Sequence, residues 1–467
     1  MSYKIKFGTD GWREIIARDY TVENVRRVAL ATAKWLNNSG LPKKAVIGFD
    51  CRFGGEMFMN ATAEVFASEG IKCLVAESFV TTPMVSLATA KNNCGVGIVI
   101  TASHNPPEYN GFKIKAHYGG PASPAEVQKI EDLISSESVI VSKSYADFLK
   151  EGIIEIVDLE TLYFNQVESN FDMDGLRNGS LSFAYDAMYG AGQNIVRRLL
   201  PDATFLHCEH NPGFDGQAPE PIDKNLQEFS EMIEISENID SGLATDGDAD
   251  RIGLYNSSGL FVDSHHIILL LIHYLHKHKG LTGKVVTSFS CTGKIKKLCN
   301  LYGLEQQTTK IGFKYICDIM VADDVLIGGE ESGGIAIKGH IPERDGVWIG
   351  LVIWEFMMKT GKTLDDLIEE IYELVGCFSV ERYDLHISEQ LKQSIVQKCK
   401  NNEFTKFGSY TVERIEDLDG FKFHLGNDQW VMIRPSGTEP VLRVYAEAAS
   451  SDDAFAILDA TKNEIGA

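Results

Sequence analysis

The chain has 467 residues, with 44 Lys+Arg against 66 Asp+Glu for a formal charge of −22, and 44% of it is hydrophobic. Such a composition builds an ordinary globular protein of three to four domains at about 100–200 residues each. It excludes a general nucleic-acid or anionic-membrane binder, which needs a basic footprint, and no apolar run approaches the roughly 20 residues of a membrane-spanning helix.

Residues 1–8 contain no apolar signal core. Nine cysteines are scattered from Cys51 to Cys399 with no CxxC pair. In a chain this large, that pattern predicts buried thiols in a reducing compartment, hence a cytoplasmic protein. Thr21 is placed to cap an amphipathic helix carrying Val22, Val25, Val28, Ala29, Trp35 and Leu36, with Thr32 on the same face. Short β-rich runs follow at 44–50, 72–76 and 95–100, so the first 150 residues predict α/β units. The same texture returns at 181–186 and 242–246, and again at 284–289 and 325–329. From about Cys377 it changes. A hairpin with Gly426, Asn427 and Asp428 at its turn, a strand from Val441 and a helix from Asp452 predict an α+β unit. The expected blocks are 1–150, 151–256, 257–373 and 374–467.

Several segments could carry chemistry. Thr-Asp-Gly-Asp-Ala-Asp-Arg at 245–251 puts Asp246, Asp248 and Asp250 at alternate positions directly after an apolar run. Three clustered carboxylates want a cation or a proton, and hard oxygen donors suit Mg²⁺ or Ca²⁺. The alternative is a solvated acidic turn salt-bridged to Arg251. Ser103 and His104 lie just past a strand, where open α/β sheets bind ligands. Neighbours on an extended chain point to opposite sides, so a direct Ser–His hydrogen bond does not follow, and a plain capped turn is the alternative. The loop containing Arg434, Ser436, Gly437 and Thr438 has the donors of a phosphate cradle, or is a tight Pro/Gly turn. Glu330 and Ser332 in a Gly-rich frame could bind sugar hydroxyls, or form a polar loop. Thr9 and Arg13 sit in a Gly-punctuated turn. His265, His266, His273, His276 and His278 fit the polar margin of a half-buried helix better than a zinc site. Met57 and Met59 are expected to fill core.

Five of these segments, in this order, resemble the α-D-phosphohexomutase superfamily, the phosphoglucomutase/phosphomannomutase enzymes, over essentially the whole chain. The resemblance implies three related α/β domains and a fourth, α+β phosphate-binding domain around a central cleft. It implies that Ser103 carries a phosphoryl group and that Asp246, Asp248 and Asp250 hold Mg²⁺, with the phosphoserine completing the set. Arg13, Arg251, Thr9, His104, Asn105 and Lys113 would surround the transferring group, with His104 and Lys113 unranked as general acid/base. Glu330 and Ser332 would bind the sugar, and Arg434, Ser436, Gly437 and Thr438 the other phosphate. The segment 308–315, with Gly312 and Lys314, matches the loop that varies with sugar preference, and its Gly-Phe-Lys is closest to the Gly-Trp-Lys of glucose enzymes. Arg344 stands where a Lys often contacts phosphate or sugar. The Asn-Pro-Pro of the serine loop resembles bacterial mannose/glucose mutases, and Trp12 departs from the Gly-Ile-Arg form of many phosphoglucosamine mutases. The implied activity is exchange of hexose 1-phosphate and hexose 6-phosphate through a 1,6-bisphosphate, with glucose favoured and mannose close. Glucose 1,6-bisphosphate would serve as activator. Phosphoglucosamine mutase, a Ser-dependent sugar phosphatase and a non-catalytic sensor are the alternatives. The expected partners are hexose phosphates, without nucleic acid or membrane, in a monomer or homodimer.

Overall fold

The computed structural model of the chain describes residues 3–8, 10–236, 238–435 and 441–467. Four main sheets follow one another along it. The first has six strands in the order Trp12–Ile15, Tyr109–Ala116, Val96–Ile100, Lys44–Phe49, Lys72–Ala76 and Ile154–Val157. Its centre is parallel and its Tyr109–Ala116 side antiparallel. Ile154–Val157 pairs with Lys72–Ala76, so this sheet takes in residues beyond the expected break at 150. The helix Val22–Ser39 starts where Thr21 accepts a hydrogen bond from the Asn24 amide.

The second sheet orders Phe261–Val262, Ile252–Asn256, Ser241–Thr245, Phe183–Asp186 and Thr204–Leu206. The third orders Gln306–Thr309, Lys284–Ser288, Val325–Gly329 and Ile335–Ile337. The fourth is wholly antiparallel: Ser379–His386, Val441–Ala448, Gln429–Pro435, Phe421–Gly426 and Arg414–Glu416. In its central hairpin Asn427 and Asp428 both take positive φ, the backbone a two-residue type I′ turn requires.

Packing separates the fourth unit from the others. One continuous apolar core runs from Val46 and Val85 through Tyr185 and Leu243 to Ile327 and Trp354, joining the first three units. The fourth has its own core around Phe407, Val431 and Val444. It meets the third through a small aromatic contact of Trp430, Met432 and Tyr445 with Phe289.

Two expectations about side-chain placement fail. Met59 is buried, but Met57 is 49% exposed on the helix Gly55–Ser68, two positions out of phase with the core face. The helix Ser264–His273 is buried nearly all round, not half-buried. His265 and His273 lie inside with the Ile/Leu run, and His266 is held by Asp263 and Tyr372. Among the described residues, no helix is long and apolar enough to cross a membrane.

Candidate active site

The strand Val96–Ile100 delivers the serine loop to the junction of the first two units. Ser103 takes φ 53°, a left-handed conformation that costs an L-residue about 1–3 kcal/mol. The turn defeats the alternation of an extended chain and brings Ser103 Oγ within 3.3 Å of His104 Nδ1. The Ser103 hydroxyl also donates to Asp246 Oδ2 at 2.7 Å. Gly247 lets the two loops meet, because a Cβ there would lie 2.6 Å from the Ser103 carbonyl oxygen.

The aspartates emerge where the strand Ser241–Thr245 ends, and all three are fully buried. Each offers an oxygen, and these oxygens lie within 4.8 Å of one another. At that separation each pair of carboxylates repels by about 3–4 kcal/mol at an effective dielectric of 20. Burial, then Asp250 and Asp248, push Asp246 well above the usual carboxylate range. Burial would raise Asp248 too, but Lys113, the Thr82 hydroxyl and Arg344 overcome it and hold Asp248 low. Lys113 Nζ lies 2.8 Å from Asp248 Oδ2, 2.9 Å from Asp250 Oδ2 and 3.0 Å from Asp10 Oδ2. Even so, Asp248 Oδ1 and Asp250 Oδ1 are buried without a hydrogen-bond partner. Orphaned hard donors in an anionic pocket fit a Mg²⁺ ion held by Asp246, Asp248 and Asp250, with the Ser103 oxygen adjacent.

Positive groups close around this centre. Arg13 Nη1 donates to Asn105 Oδ1 at 2.7 Å. Arg251 donates its backbone N–H to Asp246 Oδ1, and its guanidinium lies 3.6 Å from Glu220. Arg344 Nη2 reaches Asp10 Oδ2 at 2.5 Å and Asp250 Oδ2 at 2.7 Å, so its charge goes to the aspartate cluster. Burial, then Arg251, Arg13 and Lys113, push the His104 imidazole well below its ordinary value.

The sugar-binding candidates form a second group. Glu330 Oε1 accepts from the Gly312 amide at 2.7 Å, joining the two loops. Burial and Glu331 push the Glu330 carboxyl up to about 7. Ser332 is exposed. Lys314 shares with Asp10 and Gly11 the wall of a cavity of about 190 Å³. Arg434 faces both Asp419 carboxylate oxygens at 3.4 Å, and Asp419 also accepts from the Ile311 amide at 2.9 Å. Thr9, Ser436, Gly437 and Thr438 lie outside the described residues.

Trp12 is 1% exposed and packs on Tyr20 in the core beside Arg13. Three residues escaped the sequence reading. Asp10 links Lys113 and Arg344. Thr82 hydrogen-bonds Asp248 at 2.5 Å. Arg52 holds the serine loop from behind. Asp10 lies beside the residues that were singled out, and Arg52 lies three residues past the strand Lys44–Phe49; the local sequence around Thr82 carries no such signal.

Models of the phosphoglucomutase/phosphomannomutase alpha/beta/alpha domains I, II and III match residues 4–140, 161–259 and 263–375, and that of the C-terminal domain matches 397–463. The chain belongs to the phosphoglucomutase/phosphomannomutase family. Its class of chemistry is that of the phosphosugar mutases, which are isomerases. A family member from Thermococcus kodakarensis named phosphoglucomutase/phosphomannomutase is 29% identical over 97% of this chain and 96% of its own. A phosphoglucosamine mutase from Limosilactobacillus reuteri is also 29% identical, over 96% and 94%. A solved structure from Thermus thermophilus, provisionally named a phosphomannomutase, superposes with a TM-score of 0.88 at 31% identity, covering all of both chains.

Proposed function

We propose that this mutase interconverts hexose 1-phosphate and hexose 6-phosphate through a phosphoserine at Ser103 and a bound hexose 1,6-bisphosphate. The observation that carries the proposal is the meeting of Ser103 Oγ with Asp246 and His104 beside two orphaned aspartate oxygens. Phosphoryl transfer asks a protein for charge neutralisation and in-line positioning more than for covalent work. Arg13, Arg251 and Lys113 supply positive charge around the serine. A Mg²⁺ ion on Asp246, Asp248 and Asp250 would add Lewis-acid stabilisation of the phosphoryl oxygens when bound.

We read Lys113 and His104 in different roles. Lys113 Nζ faces Asp10, Asp248 and Asp250, which suits charge balance. His104 Nδ1 lies 3.3 Å from Ser103 Oγ, whose proton goes to Asp246 Oδ2 at 2.7 Å; once that bond is given up, His104 would take the serine proton as Oγ attacks the bisphosphate and return it when Oγ leaves. Glu330 would accept from sugar hydroxyls, and Arg434 would hold the phosphate that is not being transferred.

Glucose phosphate is the favoured substrate because of the Gly-Phe-Lys at 312–314, with mannose phosphate close behind. Glucosamine phosphate is the second reading. The phosphoglucosamine mutase name of a full-length relative favours it, while the Trp12 departure from the Gly-Ile-Arg form weighs against it. A coupled assay of glucose, mannose and glucosamine 1-phosphates, with Mg²⁺ and glucose 1,6-bisphosphate, ranks the three. Release of inorganic phosphate without isomerisation would replace the mutase with a phosphatase.

A further inference from the structure

Arg52 is a charged side chain with no exposed surface, and its hydrogen bonds go to the serine loop. Its Nη2 donates to the carbonyl oxygens of Ser103 and Asn105, both at 2.6 Å. Its Nη1 donates to those of Pro106 at 2.8 Å and Tyr109 at 3.1 Å. One guanidinium therefore gathers four carbonyls of the serine loop, a geometry a lysine ammonium cannot reproduce. Asp50 aims it: the Asp50 carboxylate accepts from the Arg52 amide at 3.0 Å and lies 3.3 Å from Nε. The same carboxylate accepts from Thr101 Oγ1 at 2.5 Å, and Thr101 Oγ1 accepts from the Ser103 amide at 2.9 Å. Ser103 is thus held at its amide and at its carbonyl, the two groups that flank its positive φ. The guanidinium face packs 4.9 Å from the Phe214 ring of the second unit, which sets its depth.

We infer that Arg52, aimed by Asp50, is the positioning residue that holds Ser103 in its left-handed conformation and so aims Oγ at Asp246 and His104. A loop with this many inward-facing carbonyls would otherwise relax toward a β or right-handed backbone, swinging Oγ off line. An error of about 1 Å in a reacting atom costs about 10²-fold in rate. Arg52 does not face the sugar, so substrate affinity should be spared. The inference rests on the mutase reading for its kinetic consequence, but its conformational content stands apart.

The test compares wild type with Arg52→Lys, in kinetics and in amide hydrogen exchange across residues 101–111. The expected result is a fall in kcat of about 10²-fold with KM for the preferred hexose 1-phosphate within about twofold, a lowered thermal midpoint with unfolding still cooperative, and faster exchange confined to the serine loop. If Arg52→Lys does not fold, Asp50→Asn keeps the guanidinium but weakens both what aims it and the Thr101 link to the Ser103 amide, and the same kcat-selective loss is expected. Unchanged loop exchange, or a rise in KM with kcat preserved, overturns the inference. Wild-type protein that isomerises no hexose phosphate would sink the mutase reading instead, and the loop exchange would then judge Arg52 alone.

Discussion

At the serine end of the site, Ser103, Lys113, Asp248 and Asp250 are each at most 1% exposed and are tied across the first two units. Arg344, from the third unit, joins them. At the far end, the Arg434 and Asp419 side chains keep 20% and 24% exposure and stand on a unit with its own core. The contrast matches two tasks. The buried end must present a nucleophile and fixed charge in one geometry, where preorganisation is worth most. Under the proposed cycle the partly open end would release one phosphate and accept another as the bisphosphate turns round, so its contacts would have to be exchangeable. Asp419 holds Arg434 at a long 3.4 Å, a contact a phosphate can displace.

The contrast can be broken most directly at Ser103. Ser103→Ala is expected to lower turnover by roughly 10⁴–10⁶-fold with little change in thermal midpoint, since only one small hydroxyl is lost. A coupled mutase assay beside a melting curve checks it, and near-wild-type turnover would end the assignment. Next in size, Asp248→Asn removes one of the two carboxylates with an orphaned oxygen. It is expected to shift the Mg²⁺ activation midpoint upward by about 10–100-fold; an unchanged metal titration would count against the site.

The far end should behave differently. Arg434→Ala removes a charged hydrogen-bond donor of about 1.5–3 kcal/mol, which appears as a KM raised about 10–100-fold with kcat affected less. A loss confined to kcat would erase the distinction between the two ends. The smallest effect is a pH dependence at Glu330. Its carboxyl is pushed up to about 7 by burial and Glu331, so it is ionised above that pH and protonated below. The proposed charged acceptor for sugar hydroxyls is therefore weakened as pH falls through about 7, and KM is expected to rise by about 5–10-fold in all. Glu330→Gln should flatten that rise and leave only the titration of the substrate phosphate near about 6. An unaltered profile in the Gln variant would exclude Glu330.

Much of the fold was legible because elements are local. The Thr21 cap, the strands around 46, 74 and 98 and the Asn427–Asp428 turn follow from neighbours in sequence. The three aspartates were legible for the same reason, since one short loop carries all of them. Met57 was misplaced because a methionine's burial depends on the phase of its helix against a core that no local pattern shows. Asp10, Thr82 and Arg52 were missed because their partners lie far off: Asp248 is 166 residues from Thr82, and Arg344 is 334 from Asp10.

The sequence by itself determined the local elements and the chemical inventory: a hydroxyl after one strand, three hard carboxylates after another, and an arginine at the end of a third. Only the tertiary structure decided which charges meet, that Ser103 and His104 face the same way, and that Asp248 and Asp250 each keep an orphaned oxygen. The reason is physical. Periodicity and capping act over a few residues, whereas burial and Coulomb forces act through space, between side chains that only the packed sheets bring together.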